Sequence, residues 1–237
     1  MLERIMTVLR LSVRRAAFTV FLTMVLGFLI AGHSYAERVY TLWFVGFSPA
    51  TPPADSLELR QAIAYSLDRE VVAKAVAAHA VQPPHPAVGI QHPGLPGYNP
   101  GVRGYSYDPV KAKELYGSSG WTAPITIFVG PATSKFLEAL HETVLGSIRK
   151  TLGAPVLVGR VANFGALVEM TKTGLAAVYI FGWRSDPKDF GYPSFALGLA
   201  NDRPFDPNVK ALLEKRDVNA LEQLMLDKAL IIPVIYY

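Results

Sequence analysis

The feature that most constrains the fold of this chain is an alternation of strand-like and helix-like segments between residues 125 and 183. The strand-like segments are short apolar or alternating runs, and the segments between them carry apolar residues at helical spacing. Strands are predicted at ITIFV (125–129), VLVGRV (156–161) and LAAVYIFGW (175–183), with helices at 134–152 and 163–173. This order predicts an α/β fold in which helices cover a mixed or parallel sheet, with a ligand-prone crevice at the carboxyl ends of its strands.

Further elements flank this unit on both sides. Before it, the pattern predicts a strand at YTLWFVGF (40–47), one long helix over 57–80, and a helix that begins at Asp108-Pro109. After it, helices are predicted from Asp206-Pro207 through 213 and over 218–230, followed by a strand at IIPVIYY (231–237). Residues 81–107 are so rich in Pro and Gly that we expect a loop, one that is functional or specifically packed.

Composition and motifs exclude several classes of protein. The chain has no Cys, so thiolate catalysis and cysteine zinc sites are excluded. None of the patterns GxSxG, HExxH, GxxxxGK[ST] or GxGxxG occurs, and we therefore predict that the protein is not an enzyme. The net charge of +4 includes no basic run dense enough to follow a phosphate backbone, which argues against a nucleic-acid partner.

Residues 1–36 have the three parts of a secretory signal. Four arginines against one glutamate open the chain, the apolar run AAFTVFLTMVLGFLIA follows at 16–31, and the exit ends in small residues at Ser34 and Ala36. We predict a signal peptide that is cleaved after Ala36. The alternative is an uncleaved anchor formed by residues 16–31, and both alternatives place residues 37–237 outside the cytoplasm, because the arginines stay inside.

The loop region contains three histidines, at His79, His85 and His92. They are candidate metal ligands, but no spacing fixes them on one helical face and no carboxylate lies among them. The alternative is that they are solvated loop residues. We predict no metal site and no cofactor.

Four strings in the mature region resemble the family 5 extracellular solute-binding proteins, the oligopeptide and dipeptide receptors of ABC importers. They are DSLELRQAIAYSLDREVVAK (55–74), GYNPGVRGYSYDPVKAKELYGSSGW (97–121), FGWRSDP (181–187) and DPNVKALL (206–213). Each string is weak alone, but the four occur in the family's order and in matching strand and helix context. One departure is Lys210, which stands where the family usually has Asp.

The resemblance covers one half of a hinged receptor. It implies the C-terminal lobe of a periplasmic binding protein of type II, formed by residues 37–237, with a first lobe that we expect to be missing upstream of Tyr40 and a truncated end. In the family, two lobes close on the ligand, and burial of most of the ligand surface is what a tight small-ligand site requires.

The resemblance also indicates the ligand-binding residues. Peptide-binding members pair the Asp of the FGWRSDP motif with the α-ammonium group of the ligand, which points to Asp186 here. The alternative is that Asp186-Pro187 opens a turn. Trp183, after Gly182, either stacks on a ligand side chain or fills the core at the strand end. Arg184 and Asp189 are neighbouring candidates, whereas Arg60 and Asp68 are expected to be structural.

Three functions remain open at this point. The first, which we favour, is an extracytoplasmic component of an ABC importer that binds peptides or similar small solutes non-covalently and contacts the permease subunits. A separate chain would then supply the missing lobe, or the single lobe would bind weakly alone. The second is a truncated lobe that acts as a protein-interaction or remnant domain and binds no small ligand. The third is a binder of nickel or metal complexes that uses the three histidines.

Overall fold

The computed structural model describes residues 40–185, 207–215 and 217–237. Within these ranges lie six strands and seven helices. The strands are β1 (Tyr40–Phe47), β2 (His85–Pro86), β3 (Ile125–Val129), β4 (Val156–Arg160), β5 (Val178–Ser185) and β6 (Ile231–Tyr236). The helices are α1 (Leu57–Tyr65), α2 (Arg69–Ala77), α3 (Pro109–Ser118), α4 (Lys135–Leu152), α5 (Phe164–Thr173), α6 (Pro207–Glu214) and α7 (Val218–Asp227).

All six strands join one mixed sheet in the order β2-β6-β1-β5-β3-β4. β3 pairs in parallel with both β4 and β5, as the βαβαβ pattern predicts, because α4 and α5 are the crossover connections. β1 is antiparallel to β5 along its full length, from Tyr40 opposite Ser185 to Phe47 opposite Val178. The expectation of an α/β fold with a mixed, helix-covered sheet is confirmed.

The sheet buries apolar side chains on both faces. On β5, Val178 and Ile180 belong to one core cluster, while Tyr179 and Phe181 belong to the other, as the alternation of side chains along a strand requires. The first cluster is covered by α1, α2 and α4, and the second by α5 and α7. The predicted apolar stripe of α4 is buried against the first cluster, and the helix ends at Gly153, which has a φ of 67°.

The predicted single helix over 57–80 is wrong, because the chain forms two helices there. α1 ends before Ser66, and Asp68 begins α2 by accepting a hydrogen bond from the amide of Val71 at 3.1 Å. Ser147 of α4 stabilises the break between the two helices. Its hydroxyl donates a hydrogen bond to the carbonyl of Ser66 at 2.8 Å and accepts one from the amide of Asp68 at 3.3 Å. A tertiary contact thus overrides the helical pattern.

The loop at 81–107 is specifically packed. It forms only the two-residue strand β2, which pairs with the end of β6. Its middle is held by Glu222 of α7, whose buried carboxylate accepts hydrogen bonds from the amides of Ile90 and Gln91, the latter at 2.9 Å. Burial raises the pKa of Glu222. The hydroxyl of Tyr236 adds a bond to the carbonyl of Gly89 at 2.7 Å.

No helix within the described ranges has the length and apolar character that crossing a membrane requires. The predicted signal or anchor at residues 1–36 lies outside the described residues.

Candidate ligand-binding site

The geometry of the site begins with a strand that is longer than its neighbour. β5 has eight residues, but β3 pairs only with Val178, Tyr179 and Ile180. From Phe181 to Ser185, β5 extends past the end of its pairing with β3, while β1 pairs with its other edge. The overhang lies at the carboxyl ends of parallel strands, where ligands of open α/β sheets bind.

A cavity of about 490 Å³ lies beside this overhang. Its volume is within the range of small-molecule pockets. The walls come from the start of β1, the end of β5, the first turns of α4 and α5, the C-terminal residue and the segment after α2. The lining residues are Thr41, Trp43, His79, Val81, Ser134, Phe136, Leu137, Phe164, Phe181, Gly182, Arg184 and Tyr237.

Aromatic rings make up much of the wall. Phe136 lies 6.1 Å from Trp43 and 4.7 Å from Tyr237, measured between ring centroids. On the other side, Phe164 meets Phe181 edge to face at 6.1 Å. Rings held at these distances form a preorganised apolar surface on which a ligand ring can pack at little cost in side-chain entropy.

Gly182 lines the cavity and lets Trp43 lie across the sheet. The two residues are directly opposite in the β1–β5 pairing. A Cβ atom at position 182 would stand 2.7 Å from two carbons of the indole ring, so only glycine accepts the ring in this place. Gly182 therefore shapes the wall through its lack of a side chain.

Trp183 is not among the described residues that line this cavity. Its half-buried side chain packs against the second core cluster, together with Phe128 and Met170. Gly182 and Arg184 share one face of β5, and Trp183 shares the other face with Phe181, which also lines the cavity. Asp186 and Asp189 lie outside the described residues.

The polar groups of the cavity are few. Ser134 caps α4 by accepting a hydrogen bond from the amide of Leu137 at 3.3 Å. Arg184 is exposed, and within residues 40–185, 207–215 and 217–237 no carboxylate lies within salt-bridge distance of its guanidinium. None of the described residues that line the cavity is Asp or Glu.

The three histidines do not converge on a metal site. His79 lies at the cavity, His85 is in β2, and His92 packs edge to face between the rings of Tyr40 and Tyr236. Burial lowers the pKa of His92. Across the described ranges, no three His, Cys, Asp or Glu residues are grouped so that they could hold a metal ion.

Of the ligand-binding residues that the sequence predicts, Gly182 lines the cavity, and most of the other lining residues were not predicted. Trp43, Phe136 and Phe164 come from three separate segments, and their spacing in the sequence carries no sign that they meet. The sequence offered one signal, the aromatic content of the strings YTLWFVGF and YIFGW. They lie in β1 and β5, which have eight residues each and are paired neighbours. Their antiparallel register, which sets Trp43 over Gly182, is a tertiary property.

This sheet, with helices on both faces and a cavity at the carboxyl edge of its parallel strands, defines a lobe of the periplasmic binding protein class. Residues 23–202 match the model of the bacterial extracellular solute-binding proteins, family 5 Middle, and the chain belongs to this family. No curated protein sequence matches the chain.

Solved structures with the same fold share little sequence with this chain. The ABC transporter substrate-binding protein CtaP of Listeria monocytogenes matches with a TM-score of 0.69 at 21% identity, over 84% of this chain and 45% of that one. The murein tripeptide-binding protein MppA of Escherichia coli matches with a TM-score of 0.67 at 18% identity, over 91% and 46%. A dipeptide-binding protein from Pseudoalteromonas sp. SM9913, in complex with Met-Leu, matches with a TM-score of 0.61 at 17% identity, over 89% and 46%. The chain thus spans about half the length of the solved structures that it matches.

Proposed function

We propose that this chain is the solute-binding component of an ABC importer and that it captures short peptides or similar small solutes without covalent chemistry. The observation that carries the proposal is the overhang of β5 beside an aromatic cavity, in a chain that belongs to the family 5 solute-binding proteins. Peptide-binding proteins among the solved structures with this fold support the same ligand class.

The overhang suits an extended ligand. The end of β5 extends beyond its pairing with β3, and a peptide that lies alongside this end would bind through main-chain groups regardless of its sequence. The neighbouring cavity would then receive one apolar side chain, which supplies binding energy through burial of apolar surface. Main-chain bonding together with one roomy pocket is typical of receptors that accept many peptides.

Three residues of the Gly-Trp-Arg-Ser-Asp string have assigned roles in this proposal. Asp186 pairs with the α-ammonium group of the ligand, Gly182 keeps the cavity open beneath Trp43, and Trp183 supports the strand or stacks on the ligand. An ammonium–carboxylate bond is charge-assisted and about twice as strong as a neutral hydrogen bond, and it fixes the polarity of the bound peptide.

The proposal also includes a location and partners. Residues 1–36 would direct export, residues 37–237 would act outside the cytoplasm, and the permease subunits of an importer would receive the ligand. A lobe on a separate chain would close over the cavity and remove the ligand from water, which strengthens every polar contact in the site.

Native mass spectrometry of the exported protein with added di- to pentapeptides tests the proposal. We expect peptide adducts on the wild-type chain, and their loss in Asp186→Asn, which keeps the shape of the side chain and removes its charge. Asp217→Asn is the matched control, because Asp217 caps α7 far along the chain and has no role in the site.

Two results would contradict the proposal, the first its peptide capture and the second only its ammonium contact. A folded wild-type chain without adducts would support the second function, an interaction or remnant domain. Equal binding by wild type and Asp186→Asn would leave peptide capture in place and remove the ammonium contact.

A further inference from the structure

The aromatic cavity beside β5 carries a charge pattern that the proposed function does not use. Among the twelve described residues that line it, Arg184 is the only Lys or Arg, and none is Asp or Glu. A guanidinium is charged at every accessible pH, so the cavity has a permanent positive group at its mouth.

Arg184 is available to a ligand. The described part of the chain contains two ion pairs, Lys135 with Glu138 and Lys172 with Glu169, and neither involves Arg184. Its side chain is exposed at the end of β5, on the same face of the sheet as Gly182. Lys135, next to the lining residue Ser134, is paired with Glu138 at 2.6 Å, whereas Arg184 has no ion-pair partner among the described residues.

The first turn of α4 adds to this field. Ser134 and Phe136 of that turn line the cavity, so the amino end of an 18-residue helix faces it. The partial positive charge of a helix amino terminus favours anions. At this cavity, the partial charge of the α4 amino terminus and the charge of Arg184 both favour an anion.

We infer that this cavity binds an aromatic group that bears a carboxylate, with the ring against the aromatic wall formed by Trp43 and Phe136 and the carboxylate on Arg184. Arginine and carboxylate match in a planar, two-bond geometry, and the walls supply ring contacts. The inference rests on the proposed function, and it specifies the ligand class of the same site. Two sources offer this chemistry: the C-terminal aromatic residue of a peptide, and a free aryl carboxylate.

Calorimetric titration of the exported protein with two pairs of ligands tests the assignment. The pairs are Ala-Phe with Ala-Phe-amide, and 3-phenylpropionate with 3-phenylpropionamide, in which only the carboxylate differs. We expect each acid that binds to bind about tenfold or more tightly than its amide, because a hydrogen bond to a charged group is worth about 1.5 to 3 kcal/mol. Arg184→Gln should bring the acid-to-amide ratio to about one, and Arg184→Lys should restore part of it.

Arg103→Gln is the matched control, since Arg103 is an exposed arginine that bonds only its own loop and lies outside the cavity lining. It should leave the ratio unchanged. Equal binding of acids and amides by the wild type, or a preference that survives in Arg184→Gln, would overturn the assignment while peptide capture stands. An acid preference seen only for 3-phenylpropionate would support the assignment and count against peptide capture, and no binding of any of the four would overturn both.

Discussion

At the scale of single residues, the wall of the cavity depends on Gly182, because its lack of a side chain leaves room for the ring of Trp43. Trp43 occupies the volume that a side chain at position 182 would need, with ring carbons 2.7 Å from the position of a Cβ atom. Two other glycines repeat the arrangement, Gly46 beneath Tyr179 and Gly159 beneath Phe128. A glycine opposite an aromatic residue of the neighbouring strand therefore recurs in this sheet. Of these three pairs, only the one at Gly182 lines the cavity.

Gly182→Ala is expected to lower the free energy of unfolding by about 1 to 3 kcal/mol, because the added methyl group must displace the indole of Trp43 from its packing on Phe136. Gly146→Ala is the matched control. Position 146 lies inside α4 with no atom within 4 Å of a Cβ, so the same substitution should stabilise the protein by about 0.5 to 1 kcal/mol. Urea unfolding measures both changes, and a neutral Gly182→Ala would show that the indole moves freely.

A second prediction at this scale concerns His141, which is buried on α4. Burial, with a smaller effect of Arg160, lowers the pKa of His141 to about 4 from an ordinary value of 6.5. As the pH falls from 6.5 to 4, the unfolded chain binds a proton at this position and the folded chain does not. The folded state therefore loses stability across that interval, and the loss is complete below a pH of about 4.

His141→Leu should remove this part of the pH dependence. Urea unfolding at pH 7 and pH 4.5 measures it, as the difference between the two pH values in the wild type minus the same difference in the variant. A His141→Leu chain with the full acid sensitivity of the wild type would contradict the assignment.

At the scale of elements, local signals predicted most of the helices and strands. β1 and β3 have the predicted bounds, and α3 begins with Asp108 as its cap and Pro109 in its first turn, as the sequence indicates. The exceptions are places where a contact with another element determines the local secondary structure. α1 and α2 are separate helices because Ser147 of α4 forms hydrogen bonds with the backbone between them. The sequence of residues 57–80 alone does not indicate that contact.

Arg60 joins three elements and gives the clearest test at this scale. Its guanidinium donates to the carbonyls of Ala54 and Asp55, before α1, and to the carbonyl of Lys228, after α7, at 2.6 to 3.2 Å. Arg60→Met keeps the apolar stem and leaves these carbonyls without a donor. We expect a loss of about 2 to 4 kcal/mol in the free energy of unfolding, because buried polar groups that lose their partners each cost about 1 to 3 kcal/mol.

Arg103→Met provides the comparison for Arg60. The arginine at 103 is exposed, so its substitution should change stability by no more than about 0.5 kcal/mol. Equal effects of the two variants would mean that the bonds of Arg60 exchange with water at no cost. The expected result would show that Arg60, in the family-like string at 55–74, acts as a structural residue.

At the scale of the whole molecule, the sequence predicted the architecture better than the site. Sheet class, helix cover and family all follow from periodicity and from strings that lie within single segments. The cavity walls do not, because β1, β5, α4 and α5 contribute one or two side chains each and the register between β1 and β5 joins residues far apart in the chain. Gly182 was accessible to sequence reasoning only because it lies inside the FGWRSDP string.

Residues 1–36, which we predict to be a signal peptide, give a prediction for the chain as a whole, since the proposed function requires residues 37–237 outside the cytoplasm. We expect the exported protein to begin at Glu37, because Ser34 and Ala36 supply the small side chains that signal cleavage needs. Intact mass of the periplasmic fraction measures this directly. Ala36→Phe places a bulky ring at the cleavage position and should retain the full chain at the membrane, whereas Tyr35→Phe, at the position between the two small residues, should be processed like the wild type. A wild-type chain found at full length in the membrane fraction would establish residues 16–31 as an anchor, which would tether the lobe beside its permease and leave its ligand chemistry unchanged.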